Sequence, residues 1–328
     1  MPQLEIAVER WPIAAPFTIA RGSKTEAIVV VATISDGRAS GRGECVPYPR
    51  YGETPESVVA QIEAIRGAIE ASADRDALQT LMPAGAARNA VDCALWDYDA
   101  KRLGVRAADM AGVGRVRPAV TAYTLSLADP DVMGAAAAKA ADRPVLKIKL
   151  GGGDGRDPAR LAAVRRGAPD AMLLVDANEG WSAANLSDNL TACADAGVTL
   201  VEQPLPVAED EALRDLPRPV PICADESVHG RDTLDRLIGL YDLINIKLDK
   251  TGGLTEALAL ADAAQARDFG LFIGCMVGTS LGMAPAMLLA PKARFVDLDG
   301  PLLLARDREP ALRYEGSIAH PPEPALWG

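Results

Sequence analysis

Histidine is nearly missing from this chain, with His229 and His320 the two examples in 328 residues. That scarcity removes most Ser-His, Cys-His and histidine-metal chemistry, so proton transfer here needs another base. Cysteine is sparse as well. Cys45, Cys93, Cys193, Cys223 and Cys275 are odd in number, widely spaced and contain no CxxC pair, which argues against disulfide and zinc frameworks. Positive charge is short: 34 Lys+Arg against 45 Asp+Glu leave a net charge of -11. A nucleic-acid backbone would be repelled, and no nucleic-acid partner is expected. The opening MPQLEIAVERW lacks the basic and then apolar segments of a signal peptide, so a cytoplasmic location is expected. A composition 49% hydrophobic and 24% charged excludes fibrous and disordered classes and suits a soluble globular protein.

One uncharged run, Phe269 to Pro291, could cross a bilayer on length alone. It holds Gly270, Gly274, Gly278, Gly282 and Pro285, and reads instead as a buried strand, a glycine turn and an Ala/Met-rich helix. No membrane partner is expected. The first 40 or so residues alternate as strands do, and EAIVVVATISDG ends at a DG turn. From Thr54 the spacing becomes helical, TPESVVAQIEAIRGAIEASA, with Thr54 as N-cap and Pro55 at the first position. Ala84 to Gly104 reads as a second, buried helix.

After Val116, eight short apolar segments alternate with helical stretches: VTAYTLS, PVLKIKL, MLLVDAN, LVEQPLP, PICADES, LINIKLD, LFIGCM and RFVDLDG. Their polar members recur every 22 to 28 residues, about one βα unit, and eight such units close into a barrel. No helix is expected after the eighth strand, and the proline-broken end must fold back. The predicted fold is α/β: a (β/α)7β barrel, a modified TIM barrel, over 117–305, with an N-terminal α+β capping domain over 1–116 completed by about 306–328. A doubly wound open sheet would want a glycine fingerprint after VTAYTLS, and there is none.

Strands of a closed barrel are apolar except near the C-terminal mouth, so polar residues within them are informative. Lys147 and Lys149, Asp176 and Asn178, Asn245 and Lys247, and Asp297 and Asp299 are each two apart, which points both members of a pair to one face. Glu202 and Asp225 add one acid each. Around the ring, lysines come from the second and sixth strands, which are diametrically opposed, and acids from the third, fourth and fifth. Two amines therefore face each other across three carboxylates. Such acids raise each other's pKa unless a cation sits among them. Oxygen-only ligation by Asp176, Glu202 and Asp225 suits Mg2+ best, the plainer alternative being a buried ion network with the lysines. Only eight lysines stand beside 26 arginines, yet three fall on these strands. Lysine can lose its proton, and crowding by Lys147 and a metal ion would depress the pKa of Lys149. Two bases on opposite faces of one carbon imply racemisation or epimerisation. The enolate of a carboxylate formed on the way would gain several kcal/mol from a divalent ion on its oxygens.

The motifs KIK at 147–149, VDANEGW from Val175, VEQPLP from Val201, ICADES from Ile222, NIKLDKTGGLTEAL from Asn245 and DLDGP from Asp297 resemble the muconate-lactonising branch of the enolase superfamily. Within it they are most like the L-Ala-D/L-Glu dipeptide epimerases. GECVPYPRYGE from Gly43 and PAGAARNAVDCALWD from Pro83 extend the resemblance over nearly the whole chain. It implies that Asp176, Glu202 and Asp225 bind Mg2+ and that Lys149 and Lys247 are the acid/base catalysts, Lys149 for the L-Glu epimer and Lys247 for the D-Glu epimer. Enolase-superfamily sites commonly pair such a base with Mg2+. It also implies that Lys147 helps hold the substrate carboxylate, that Asp297 and Asp299 receive the α-ammonium of the dipeptide, and that Arg21 meets the glutamate side chain. Thr124, Asn178, Cys275 and Met276 are further expected substrate contacts. The expected partner is a small dipeptide, epimerised at its C-terminal residue, with a homo-oligomer possible.

One departure stands out. Many members of the branch carry an acid after the seventh-strand Cys-Met, whereas here the run is CMVGTSLG with Gly278 and Thr279, so a differently shaped pocket is expected. Asp249 and Lys250 read only as lying beyond the sixth-strand lysine. Alternatives sharing the metal acids are an N-acylamino-acid racemase, a muconate cycloisomerase and an o-succinylbenzoate synthase. From other classes come a metal-independent Schiff-base aldolase built on Lys247 and a catalytically silent binding protein.

Overall fold

The computed structural model describes all of residues 1–328. The chain opens with three antiparallel strands, β1 (Gln3–Ile19), β2 (Gly22–Ser35) and β3 (Ser40–Cys45), ordered β1-β2-β3. Four helices follow: α1 (Pro55–Ala64), α2 (Arg66–Glu70), α3 (Arg75–Leu81) and α4 (Ala86–Leu103). Thr54 caps α1 by accepting from the Ser57 N–H, and Pro55 opens it, because a proline at that position loses no intrahelical bond. The single helix expected from Thr54 is broken at Ile65, whose backbone leaves the helical region beside the weak helix former Gly67. Helix α4 is buried along most of its length and lies directly on β3. A Cβ on Gly43 would fall 2.1 Å from the Ala90 carbonyl oxygen, so glycine is what permits this approach.

Beyond a short helix, α5 (Ala107–Met110), and strand β4 (Ala119–Val120), eight strands form one parallel sheet. They are β5 (Tyr123–Leu125), β6 (Val145–Lys149), β7 (Met172–Asp176), β8 (Val198–Glu202), β9 (Ile222–Ala224), β10 (Leu243–Ile246), β11 (Gly270–Ile273) and β12 (Phe295–Val296). Each pairs with its successor, and the sheet curls until Thr121 bridges Val296 and the Ala122 N–H reaches the Val296 carbonyl. The barrel interior is filled by Ala122, Leu174, Leu200, Cys223, Leu243, Phe272 and Phe295, an apolar plug of the kind barrels require. A larger apolar layer lies between the strands and the surrounding helices.

Those helices are α6 (Pro130–Lys139), α7 (Asp157–Gly167), α8 (Leu186–Asp195), α9 (Leu234–Leu237), α10 (Leu248–Thr251), α11 (Leu254–Gln265) and α12 (Ser280–Ala286). Two details differ from the sequence reading. The crossover after β8 is a 3-10 segment, Val207–Leu213, in a stretch where prolines at 204, 206, 217, 219 and 221 deny a longer helix its N–H donors. One helical turn, α13 (Gly300–Leu303), follows β12 where no helix was expected. The uncharged run 269–291 divides into β11, a turn and α12, and no helix is long and apolar enough to cross a membrane. All five cysteines are free.

The end of the chain returns through β13 (Tyr314–Glu315) and β14 (Ile318–Ala319), the latter pairing with β4. The fully buried Trp327 donates to the Cys93 carbonyl of α4, which ties the C-terminal segment to the N-terminal helices.

Candidate active site

Parallel pairing sets the acids at one height. Lys149 stands opposite Asp176, and Asp176 opposite Glu202, so the C-terminal ends of β6, β7 and β8 present their polar residues together. Asp225 follows β9 directly, and Lys247 follows β10. The ligand atoms of Asp176, Glu202 and Asp225 all lie within 4.8 Å of one another, and all three residues are buried.

The lysines face these acids. Lys149 Nζ donates to Asp176 Oδ2 at 2.6 Å, and Lys247 Nζ to Asp225 Oδ2 at 2.6 Å. Lys147 lies 2.7 Å from Glu202 Oε2, 2.8 Å from Asp297 Oδ2 and 3.3 Å from Asp176 Oδ2. Burial alone would lower the Lys147 pKa, but Asp297, Glu202 and Asp176 together hold it well above the usual lysine range. Lys247 is likewise lowered by burial and raised overall by Asp225 and Glu202. Asp225 is held far below the ordinary carboxylate value despite its burial, because Lys247 and Lys250 both face it. Glu202 is pushed up by burial and then by Asp176, so the lysines do not balance all three acids.

The donor set fits a divalent ion. Three oxygen donors from consecutive strands converge, and Glu202 Oε2 is buried without an aligned hydrogen bond although Lys147 is close. Asn178 Oδ1 and Asp297 Oδ1 are also buried without partners. A hard, oxygen-seeking cation answers this chemistry better than a further ammonium would.

A cavity of about 760 Å³ opens above the acids, between the barrel mouth and the β1–β2 hairpin. Of the candidates read from the sequence, Lys149, Asn178, Asp225, Lys247, Cys275, Met276 and Arg21 line it. Lys147, Asp176, Glu202, Thr124, Asp297 and Asp299 do not reach it and are buried beside it. Asp299 Oδ2 accepts the Thr124 N–H at 2.7 Å. Its pKa is pushed up to about 7, by burial first and by Asp297 next. Arg21 is engaged by protein groups: it donates to Glu226 at 2.6 Å, the Asn178 carbonyl at 2.8 Å, Glu179 at 3.2 Å and the Tyr48 hydroxyl at 3.2 Å.

Several working residues escaped the sequence reading. Lys250, fully buried, donates to Asp225 Oδ1 at 2.6 Å and to the Asn245 carbonyl at 3.0 Å, and so pins Asp225 from the side opposite Lys247. Gln203 accepts the Asp225 N–H at 2.9 Å while its own backbone sits at φ 34°, a strained conformation held by its surroundings. Glu226 and Glu179 receive Arg21. The available signal was adjacency, since each stands within three residues of a named candidate.

The chain is similar to proteins of known kind along its length. Residues 1–112 match the family model described as mandelate racemase / muconate lactonizing enzyme, N-terminal domain, and residues 132–323 match enolase C-terminal domain-like. It is 47% identical to the L-Ala-D/L-Glu epimerase of Escherichia coli (strain K12), over 98% of this chain and 100% of that one. It is 43% identical to an N-acetyl-D-glutamate racemase of Pseudoalteromonas sp, over 92% and 95%. Among solved structures, an enolase family member from Agrobacterium tumefaciens with homology to dipeptide epimerases, with bound sodium and L-Ala-L-Glu and an ordered loop, superposes with a TM-score of 0.98 at 54% identity over the whole of both chains.

Proposed function

Because the chain belongs to the mandelate racemase / muconate lactonizing enzyme family with an enolase-like C-terminal domain, we propose that it is a Mg2+-dependent dipeptide epimerase. It inverts the α-carbon of the C-terminal residue and interconverts L-Ala-L-Glu and L-Ala-D-Glu. The observation that carries this reading is the convergence of three buried carboxylates with lysines from β6 and from the end of β10, two strands on opposite sides of the ring.

Asp176, Glu202 and Asp225 hold the ion. Bound there, Mg2+ would supply the positive charge that favours an anionic, carboxylate-bearing substrate. Lys149 takes the proton from the L epimer and Lys247 returns one to the opposite face, with the roles reversed from the D epimer. Lys147, tied to Asp297 and Glu202, keeps a fixed cation beside the substrate carboxylate. Asp297, with one buried oxygen lacking a partner, and Asp299 receive the α-ammonium of the first residue. Asn178, Cys275 and Met276 shape the pocket around the peptide, Thr124 supports it from behind by donating its N–H to Asp299, and the cap faces the side chain with a cationic wall that includes Arg21. The working units are a cap over 1–116, completed by about 306–328, above a barrel over 117–305, in the cytosol.

Proton NMR of L-Ala-L-Glu in D2O with the protein and Mg2+ tests this. The glutamate α-proton signal is expected to vanish, the L,D diastereomer to appear, and EDTA to stop both. Lack of α-proton exchange overturns the reading. A second reading, racemisation of an N-acylglutamate, is favoured by the 43% identity to the N-acetyl-D-glutamate racemase. Exchange in N-acetylglutamate that survives Asp297→Asn would support it, since that substrate brings no ammonium.

A further inference from the structure

The cavity wall contributed by the cap contains more than one cation, and their commitments differ. Arg21 is bonded to Glu226 and Glu179, and Arg50 forms two hydrogen bonds of 2.7 Å with Glu179. The acids of the same wall are engaged as well. Glu26 pairs with Arg10 at 2.5 Å, and Glu53 accepts the backbone N–H groups of Tyr48 and Ala86. On the barrel side, Lys149 and Lys247 hold Asp176 and Asp225.

Lys24 is the exception. It lines the cavity from β2, just past the hairpin turn, and of the charged side chains around that cavity it alone makes neither an ion pair nor a hydrogen bond. Its ammonium rests 4.9 Å from the centroid of the Tyr48 ring, a cation–π contact that orients the group without neutralising it. Solvent still reaches the side chain along the rim. Even so, partial desolvation and the neighbouring Arg21 hold its pKa below the usual lysine value, as befits an ammonium beside a second cation with no counter-anion of its own.

We propose that Lys24 is the residue that reads the side-chain carboxylate of an acidic residue at the substrate's C-terminal position, and that Arg21 is a strut between cap and barrel. Three observations carry this assignment. Lys24 shares one cavity with Lys149 and Lys247, which would flank the reacting carbon. It is the one charged group there free to meet a new anion without breaking an ion pair or hydrogen bond. Arg21, by contrast, would have to abandon Glu226, a buried carboxylate with its second oxygen already unpartnered, and leaving a buried charge without its partner is costly. The inference rests on the reading that this cavity binds a glutamate-ended substrate.

The test compares L-Ala-L-Glu with L-Ala-L-Gln, and N-acetyl-L-glutamate with N-acetyl-L-glutamine, by α-proton exchange in D2O. The proteins are the wild type, Lys24→Met, Lys24→Glu and Arg21→Met. Wild type is expected to prefer the glutamate member of a pair. A charge-assisted contact is worth roughly a 10- to 100-fold difference, so Lys24→Met should lower the glutamate-to-glutamine ratio in kcat/KM by about that factor, mostly through KM. Lys24→Glu should lower it further. Arg21→Met should depress both members of a pair alike and lower the melting temperature. A ratio unchanged in Lys24→Met, or abolished only by Arg21→Met, overturns the assignment. Exchange in the acetylated pair alone would overturn the dipeptide reading while the Lys24 ratio still decides this one. If no ligand exchanges, calorimetric binding of the same four compounds decides it, and equal or absent binding of the acidic members overturns it.

Discussion

Lys149 and Lys247 are the residues on which the proposed chemistry divides. Each donates to a different carboxylate, Asp176 and Asp225, so removing one lysine leaves the other's surroundings largely in place. Lys149→Ala is expected to lower epimerisation by about 10²- to 10⁴-fold, while the D-Glu epimer still exchanges its α-proton with D2O through Lys247. Lys247→Ala should show the mirror-image pattern, retaining exchange from the L-Glu epimer. Following each diastereomer separately by NMR checks this. Loss of exchange from both epimers in either variant would contradict a two-base division of labour. The placement of both lysines at the barrel mouth was legible in the sequence because polar residues at period 2 in otherwise apolar strands share one face, whereas their division between the L and D epimers is implied by the family resemblance alone. Lys250 was not legible in that manner. It lies in the one-turn helix α10, where no strand alternation marks it, and only the three-dimensional approach of its ammonium to Asp225 gives it a role.

Between elements, close contacts inside the cap and from the cap to the barrel tolerate little change. Helix α4 packs on β3 at Gly41 and Gly43, where an added Cβ would come within 2.0 and 2.1 Å of backbone atoms of the helix. Gly43→Ala is therefore expected to destabilise the protein by about 1–3 kcal/mol or more, read as a lower denaturant midpoint. On the barrel side, Asp249 of α10 accepts the Val46 N–H at 3.0 Å and the Asn89 amide at 2.8 Å. Burial, only partly offset by those hydrogen bonds, pushes its pKa up to about 7. An unfolded aspartate titrates near 3.9, so the folded state binds the extra proton. The stability this contributes is present below about pH 4 and is lost as pH rises through 7, a change of up to about 4 kcal/mol. Asp249→Asn should flatten that part of the profile, so unfolding free energies of the two proteins should diverge between pH 5 and 8, the variant falling less. Parallel profiles would mean that Asp249 stays ionised. This contact was invisible in sequence, since Asp249 and Val46 stand 203 positions apart.

For the chain as a whole, folding and metal binding are linked. The three acids come from β7, β8 and the end of β9 and converge only in the closed barrel, so Mg2+ has a site in the folded state and none in the unfolded one. At 100 times its Kd, Mg2+ should add about 2.7 kcal/mol of stability, seen as a rise in melting temperature that EDTA reverses. Asp176→Asn should abolish the rise. An equal Mg2+ response in that variant would place the ion elsewhere.

Composition and periodicity were enough, without coordinates, to specify a barrel with an added cap, the ring order of the lysines and acids, and the exclusion of histidine-based chemistry. Those follow from local rules: strand alternation, the length of a βα unit and the count of residue types. The departures also have local causes, as in the proline-rich crossover after β8 and the break at Ile65. What the folded molecule alone determined is which charges are engaged. Arg21 and Lys24 look alike in FTIARGSKTEA, and nothing in their spacing separates a strut from a free cation. The difference arises because the hairpin lies over the barrel mouth, where Glu226 and Glu179 reach Arg21 and no acid reaches Lys24. Pairing between residues far apart in sequence depends on distances that no one-dimensional pattern encodes.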